Sequence, residues 1–250
     1  KTWIVVPNRD GLRWLPGLIA SIAAQTRAPD EVLVVDDGSV DGSVDWLAGE
    51  GISVLTLGEP GGFARAANAG LSAALDAGAD AVALVNTDVE LDPAWLQLTV
   101  SELETDDRAA SVASKMVSLA DAAILDDTGD TLRRDGACEQ RGRGKPDTGA
   151  FDEPGDVWGA CAGAAVYRAE ALREVGLFDE RLVMYLEDVD LALRLRLAGW
   201  TCRYVPAIAR HAGGGSGAVI PHWVARNTLL IVARWFPLRW LWPVAYRQLS

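Results

Sequence analysis

Asn86-Thr87-Asp88 and Glu187-Asp188 are the two stretches whose side chains could do chemistry together. An Asp beside an Asn and a Thr offers hard oxygen ligands. A cation such as Mg2+ or Mn2+ takes one or two carboxylates and fills its other positions with substrate phosphates. A second carboxylate, held at a buried edge where its pKa can be tuned, can accept a proton. Together they would equip a site to transfer a group from a diphosphate donor to a hydroxyl, the metal neutralising the departing diphosphate. Each motif has a plainer reading. Asp88 could cap the helix opening near Asp92-Pro93, although Asp92 is better placed for that. Glu187, Asp188 and Asp190 could merely favour the dipole of the helix they open. Three carboxylates exceed that need, however, and the apolar Val183-Met184-Tyr185-Leu186 before them argues for a buried edge.

The surrounding pattern indicates what positions these groups. The apolar run 81–85 ends at Asn86 and reads as a buried strand delivering Asp88 to a sheet edge. Further apolar runs cover 3–6, 31–35 and 52–57. Helical spacing covers 12–25, 44–48, 63–77 and 93–103. This alternation predicts a largely parallel sheet with helices on both faces, and strands apolar throughout suit that burial. Ligands of such sheets bind beyond the carboxyl ends of the strands. After about Val117 the pattern weakens. Residues 121–156, rich in Asp, Arg and Gly, read as a surface loop or as a flap over the site. The small-residue run 157–167, with Trp158 and Gly159, predicts a strand packed closely on backbone or ligand. Helix 169–175, a turn at 176–179, helix 187–198 and strand 201–205 follow.

Three more motifs could meet a ligand. Asp36-Asp37-Gly38-Ser39 follows the second strand, where a carboxylate can accept from a base N–H or ribose hydroxyls; a structural Asp-Gly turn is the alternative. Gly61-Gly62-Phe63 starts a helix whose free N–H groups could hold an anion, with Arg65 adding charge and Asn68 one turn along. His211, before Ala212-Gly213-Gly214-Gly215, could be a further metal ligand or an incidental loop histidine.

The 250 residues carry a formal charge of −12, which argues against nucleic acid as a partner. Three separated cysteines and two histidines make no zinc pattern and suggest free thiols in a reducing compartment. The first residues read as a strand rather than a signal peptide, and no run reaches the roughly 18 apolar residues of a membrane span. The tail, 217–250, holds Trp223, Trp235, Trp240 and Trp242 among arginines. A helix of this kind can pack on the domain, form a homodimer interface, or lie on a membrane surface.

In order and spacing, these motifs resemble family 2 glycosyltransferases of the GT-A fold. Val5-Val6-Pro7-Asn8-Arg9, Val34-Val35-Asp36-Asp37, Gly62-Phe63-Ala64 with Asn68 and Gly70, Asn86-Thr87-Asp88, and Glu187-Asp188 with Arg194 and Gly199-Trp200 carry the likeness across 3–216. The resemblance implies a Rossmann-like α/β/α sandwich with a mostly parallel sheet and a C-terminal helical tail. Its catalytic domain would cover 1–216, with 1–118 binding the nucleotide sugar and 119–216 the acceptor. Asp37 would bind the base, near Pro7, Asn8, Arg9 and Gly62. Phe63, Arg65, Asn68, Asn86, Thr87, Trp158 and Gly159 would complete the donor site. Asp88, helped by His211, would hold Mg2+ or Mn2+, since Asn86 stands where many relatives have Asp. Asp188, beside Glu187, would be the base of an inverting transfer to a glycan or lipid-linked acceptor. The helix-start and Arg-His-Ala-Gly loop are most like the branch using dTDP-rhamnose or similar donors, which implies polysaccharide or cell-wall synthesis in the cytoplasm or at the inner face of the plasma membrane. A catalytically silent nucleotide-sugar module and a nucleotidyltransferase are the alternatives. The latter usually needs a Gly-rich loop after the first strand, which Pro7-Asn8-Arg9-Asp10-Gly11 matches poorly.

Overall fold

The structure, a computed structural model, describes residues 1–133, 136–213, 220–237, 239 and 241–249. Its first part alternates as the apolar runs predict. In chain order come β1 (Thr2–Asn8), α1 (Leu15–Ala23), β2 (Glu31–Asp36), α2 (Ser43–Gly49), β3 (Ser53–Thr56), α3 (Phe63–Asp76) and β4 (Ala81–Val85). Then follow β5 (Val89–Leu91), α4 (Trp95–Thr105), β6 (Ala109–Ser118) and the short strands β7 (Leu125–Asp127), β8 (Asp130–Leu132), β9 (Cys138–Gln140) and β10 (Gly155–Val157). The chain closes with β11 (Ala164–Arg168), α5 (Ala169–Val175), α6 (Glu187–Leu197), β12 (Thr201–His211), α7 (Ile220–Trp235) and α8 (Leu241–Leu249).

One ten-stranded sheet has the order β10-β12-β6-β11-β4-β1-β2-β3, with β5 paired to β12 and β7 to β6. Neighbours β3, β2, β1 and β4 are parallel, as are β6 and β12, while β11 runs against both β4 and β6. The long strands other than β11 therefore end at the same edge. Alternate side chains feed two cores. Ile4, Val6, Val34 and Val85 meet Leu15, Leu18, Leu96 and Val100 on one face. Val5, Val35, Val82 and Leu84 meet Ala67, Leu71, Leu172 and Leu191 on the other. Both faces are covered, which is why these strands are apolar throughout.

Three expectations are corrected. The run 157–167 is not one strand: Val157 ends β10 and β11 starts at Ala164, with 158–163 forming the connection and its Ala162 amide donating to Asp188. Strand 201–205 continues to His211 past a register shift between Tyr204 and Ile208, so His211 closes a strand instead of sitting in a loop. Residues 121–156 are no plain loop: short ladders β6–β7, β8–β9 and β10–β12 tie the segment down. All three cysteines are free. Gly214, Gly215, Ser216 and Trp240 lie outside the described residues. Among the described residues, no helix is long and apolar enough to cross a membrane.

Candidate active site

Strand register brings the separated motifs together. Parallel pairing sets Asn8 beside Asp36 at the ends of β1 and β2, and β4 ends one step away at Val85. Here the polar groups bind one another. Asn8 Nδ2 donates to Asp36 Oδ1 (3.0 Å), Ser39 N–H to Asp36 Oδ2 (3.0 Å), and Thr87 Oγ1 to the Pro7 carbonyl (2.8 Å). Asp37, 3% exposed, accepts from the Gly61 and Gly62 amides at 2.8 Å each. The Ala64 amide donates to the Val183 carbonyl at 3.0 Å. This corrects the expectation of free amides at the start of α3: three of them already have protein acceptors. Gly62 (φ 93°) permits the approach, since a Cβ there would lie 3.0 Å from the Val183 carbonyl oxygen.

Across the edge, β5 pairs antiparallel with β12, setting Val89 opposite His211. That register delivers Asp88 to the imidazole. His211 Nε2 lies 3.3 Å from Asp88 Oδ1, and Nδ1 lies 2.7 Å from Asp126 Oδ2. Burial opposes charge on the ring, but the hydrogen bonds to Asp126 and Asp88 outweigh it and lift the pKa to about 9. A carboxylate on the far ring nitrogen is the usual orienting partner of a metal-ligating histidine. Asp88 and His211 fit a divalent ion as an oxygen and a nitrogen donor provided the ion displaces the Nε2 proton that the two carboxylates otherwise hold. Among the described residues, no three His, Cys, Asp or Glu side chains converge on one point. An ion here would take its other ligands from substrate phosphate and water, as Mg2+ commonly does.

Both donors face a cleft of about 430 Å3, which Phe63, Asn86, Glu187 and Asp188 also line. Asp188 Oδ2 accepts from the Ala162 amide (3.0 Å) and Oδ1 from the Val189 amide (2.8 Å). Burial raises its pKa, and these amides hold it down in part. Glu187 is 5% exposed, and among the described residues its Oε2 has no hydrogen-bond partner. Burial, then the neighbouring Asp188 charge, lifts its pKa to about 8.

The remaining expected residues lie elsewhere. Asn68 is engaged by the turn before the 3-10 turn at 180–182, donating to the Phe178 carbonyl and accepting from the Phe178 amide. Arg65 donates to the Glu59 carbonyl, and Arg9 is exposed. Trp158 packs on Val189, Leu193 and Ile231, its carbonyl held by Arg196. Gly159 bridges to Asp130. Conversely, Asp126, Asp130, Gln140 and Arg143 belong to the site and were not singled out. Asp130 and Arg143 line the cleft, as do Cys138 and Cys161. Asp127 is 1% exposed, and among the described residues its Oδ2 has no partner; burial and then the Asp126 and Asp188 charges, against hydrogen bonds from the Gly129 amide and the Gln140 side chain, lift its pKa to about 7. The one available signal was the acidic run Asp126-Asp127-Thr128-Gly129-Asp130, inside an otherwise patternless segment.

A mostly parallel sheet with helices on both faces and an acidic cleft at its carboxyl edge defines a GT-A glycosyltransferase fold. Two solved structures share it. GalNAc-T7 with UDP, GalNAc and Mn2+ matches at a TM-score of 0.76 and 16% identity over 94% of this chain, which spans about half of that one (48%). TarS 1-349 of S. aureus in complex with UDP matches at 0.62 and 19%, over 100% of this chain and 70% of that one. In sequence, the N-acetylglucosaminyl-diphospho-decaprenol L-rhamnosyltransferase of Mycobacterium tuberculosis is 29% identical over 90% of this chain and 84% of its own length. The glycosyl transferase family 2 model matches residues 3–176. The chain belongs to glycosyl transferase family 2.

Proposed function

We propose that the chain is an inverting glycosyltransferase that moves a sugar from a nucleoside diphosphate, of the dTDP-rhamnose type, to a hydroxyl of a lipid-linked or glycan acceptor. The observation that carries this reading is the shared cleft. The Asp88–His211 pair and the Asp188 carboxylate face the same 430 Å3 space from different elements. Family membership supports sugar transfer over nucleotidyl transfer.

In this reading Asp188 is the base. Its carboxylate is oriented by the Ala162 and Val189 amides. It takes the acceptor proton as the acceptor oxygen attacks the anomeric carbon and the bond to the diphosphate breaks. A single displacement inverts that carbon. A divalent ion held by Asp88 and His211, Mg2+ or Mn2+, would neutralise charge on the leaving diphosphate. Arg143 lines the same cleft and would add positive charge there. Asp37, with Pro7, Asn8 and Gly62, would meet the nucleotide base, and Asn86, Thr87 and Phe63 would complete the donor site; of these, Asn86 and Phe63 line the cleft. The mycobacterial relative is named for an N-acetylglucosaminyl-diphospho-decaprenol acceptor. A lipid-linked acceptor at the inner face of the plasma membrane suits the exposed Leu230, Trp242 and Tyr246 of α7 and α8; a homodimer would cover the same side chains.

Calorimetry with UDP-, dTDP- and GDP-sugars, with and without Mn2+, followed by transfer assays, tests the reading. Metal-dependent binding of one nucleotide class, with turnover on a polyprenyl-diphosphate glycan, is expected. Binding without turnover on any acceptor would favour a silent nucleotide-sugar module. No binding by the folded protein would end the glycosyltransferase reading.

A further inference from the structure

We propose that Asn227, on α7, is a positioning residue that holds the strained loop carrying Glu187 and Asp188. The tail would thereby be part of the catalytic apparatus whatever else it touches. The inference rests on the reading of Asp188 as the base. The loop at 182–186 contains no glycine, yet Val183 (φ 63°), Tyr185 (φ 65°) and Leu186 (φ 67°) all have left-handed φ. Val183 has ψ −61°, and the Met184 amide donates to the Leu182 carbonyl at 2.7 Å. These are the marks of a γ-turn of positive φ, rare for any residue and an outlier for a β-branched one. Such a loop persists only if its surroundings over-determine it. Its own sequence offers little: Leu186, the residue before α6, makes no side-chain cap.

The restraint comes from outside. Asn227, 0% exposed, directs its amide nitrogen at the carbonyls of Leu182 (2.9 Å), Met184 (2.9 Å) and Tyr185 (2.7 Å). Its Oδ1 accepts from Arg226, which also donates to the Arg181 carbonyl. From the other side, the Ala64 amide holds the Val183 carbonyl. Farther along α7, Trp235 Nε1 donates to Asp190 Oδ1 at 2.7 Å, and Ile231 packs with Val189 and Leu193. Met184, Tyr185 and Leu186 line the cleft directly before the two carboxylates. If the turn relaxed, Asp188 would leave the position its amide partners define. The amide nitrogen has two N–H bonds for these three carbonyls, so two are hydrogen-bonded outright and the third shares a hydrogen. Aspartate has the same shape and no donor.

The full chain with Asn227→Ala, Asn227→Asp and Asn227→Ala/Val183→Gly tests this by transfer kinetics, donor calorimetry and amide exchange. Both single variants are expected to lower kcat about tenfold or more while donor affinity stays within about twofold, as small misplacements of a reacting group do. Exchange should accelerate in 182–190 and stay unchanged in 31–36 and 81–85. Val183→Gly should recover part of kcat, because glycine adopts this turn without steric cost. The inference is overturned if kcat and exchange in 182–190 do not change. It is equally overturned if kcat, donor affinity and melting temperature fall together with no recovery from Val183→Gly, the mark of a plain core residue. If the wild-type chain transfers no sugar, the proposed function fails separately, and exchange confined to 182–190 still decides whether Asn227 holds the loop.

Discussion

The sheet edge at Asp37, outside the lining of the cleft, and the cleft wall at Asp188 are built on opposite plans. At the end nearest Asp37, strands in parallel register bring Asn8, Asp36 and Thr87 together, and these groups satisfy one another. At the end nearest Asp188, non-glycine residues sit at left-handed φ, and among the described residues buried oxygens of Glu187 and Asp127 have no partner. Strain of this kind costs of order 1–3 kcal/mol per residue and survives only where packing enforces it. The contrast teaches a division of labour. Regular sheet geometry is enough to form a rigid, internally satisfied polar edge. A carboxylate with a shifted pKa needs burial that a sheet edge alone does not supply, and α7, distant in sequence, packs on the loop and helix that carry this one.

The sharpest way to break that division is to neutralise each carboxylate in turn. Asp188→Asn should lower transfer by about 10²–10⁴-fold, the usual share of a general base, with donor binding intact. Measured turnover beside calorimetry checks it, and loss of donor affinity would erase the distinction between the two ends. Asp37→Ala should act on stability first. It strands the half-buried Gly61 and Gly62 amides; at about 1–3 kcal/mol for each fully buried group, denaturant unfolding should report a loss of up to roughly 2–6 kcal/mol. An unchanged midpoint would mean that the Asp37 end is not prearranged. Smaller again is the effect of Asp126→Ala, which leaves His211 in place but removes the carboxylate on its Nδ1. Metal affinity, read by Mn2+ titration, should weaken about 10–100-fold; an unaltered titration would take His211 out of the ligand set.

Much of the Asp37 end was legible because its signals are local. Apolar runs of strand length end in Asp or Asn, and parallel pairing then brings those ends to one edge whatever the detailed register. The Glu187-Asp188 pair was legible for a similar reason, as an acidic helix start after an apolar stretch. What was not legible depends on distant pairing. The match of Val89 with His211, which brings Asp88 to the imidazole, is made by a three-residue strand too short to carry a period. The contribution of 125–143 depends on short ladders whose polar residues resemble an ordinary loop. Asn227 gives no hint at all, since a single Asn in an apolar helix acquires its role only from the carbonyls that face it.

Glu187 gives the finest test of the contrast, because its effect is on stability and depends on pH. Burial and the neighbouring Asp188 raise its folded-state pKa from an ordinary 4.5 to about 8. Between those values the folded chain keeps a proton that the unfolded chain has released. Stability therefore falls as pH rises through this window, and the contribution of Glu187 is most favourable below it. Glutamine preserves the shape and cannot ionise. Glu187→Gln should thus melt at nearly the wild-type temperature near pH 4.5 and increasingly above it toward pH 8. Thermal unfolding of both chains across that range measures the difference directly. A constant offset at every pH would mean that Glu187 does not carry a raised pKa in the folded state, and the Asp188 end would then be strained in its backbone but ordinary in its charge.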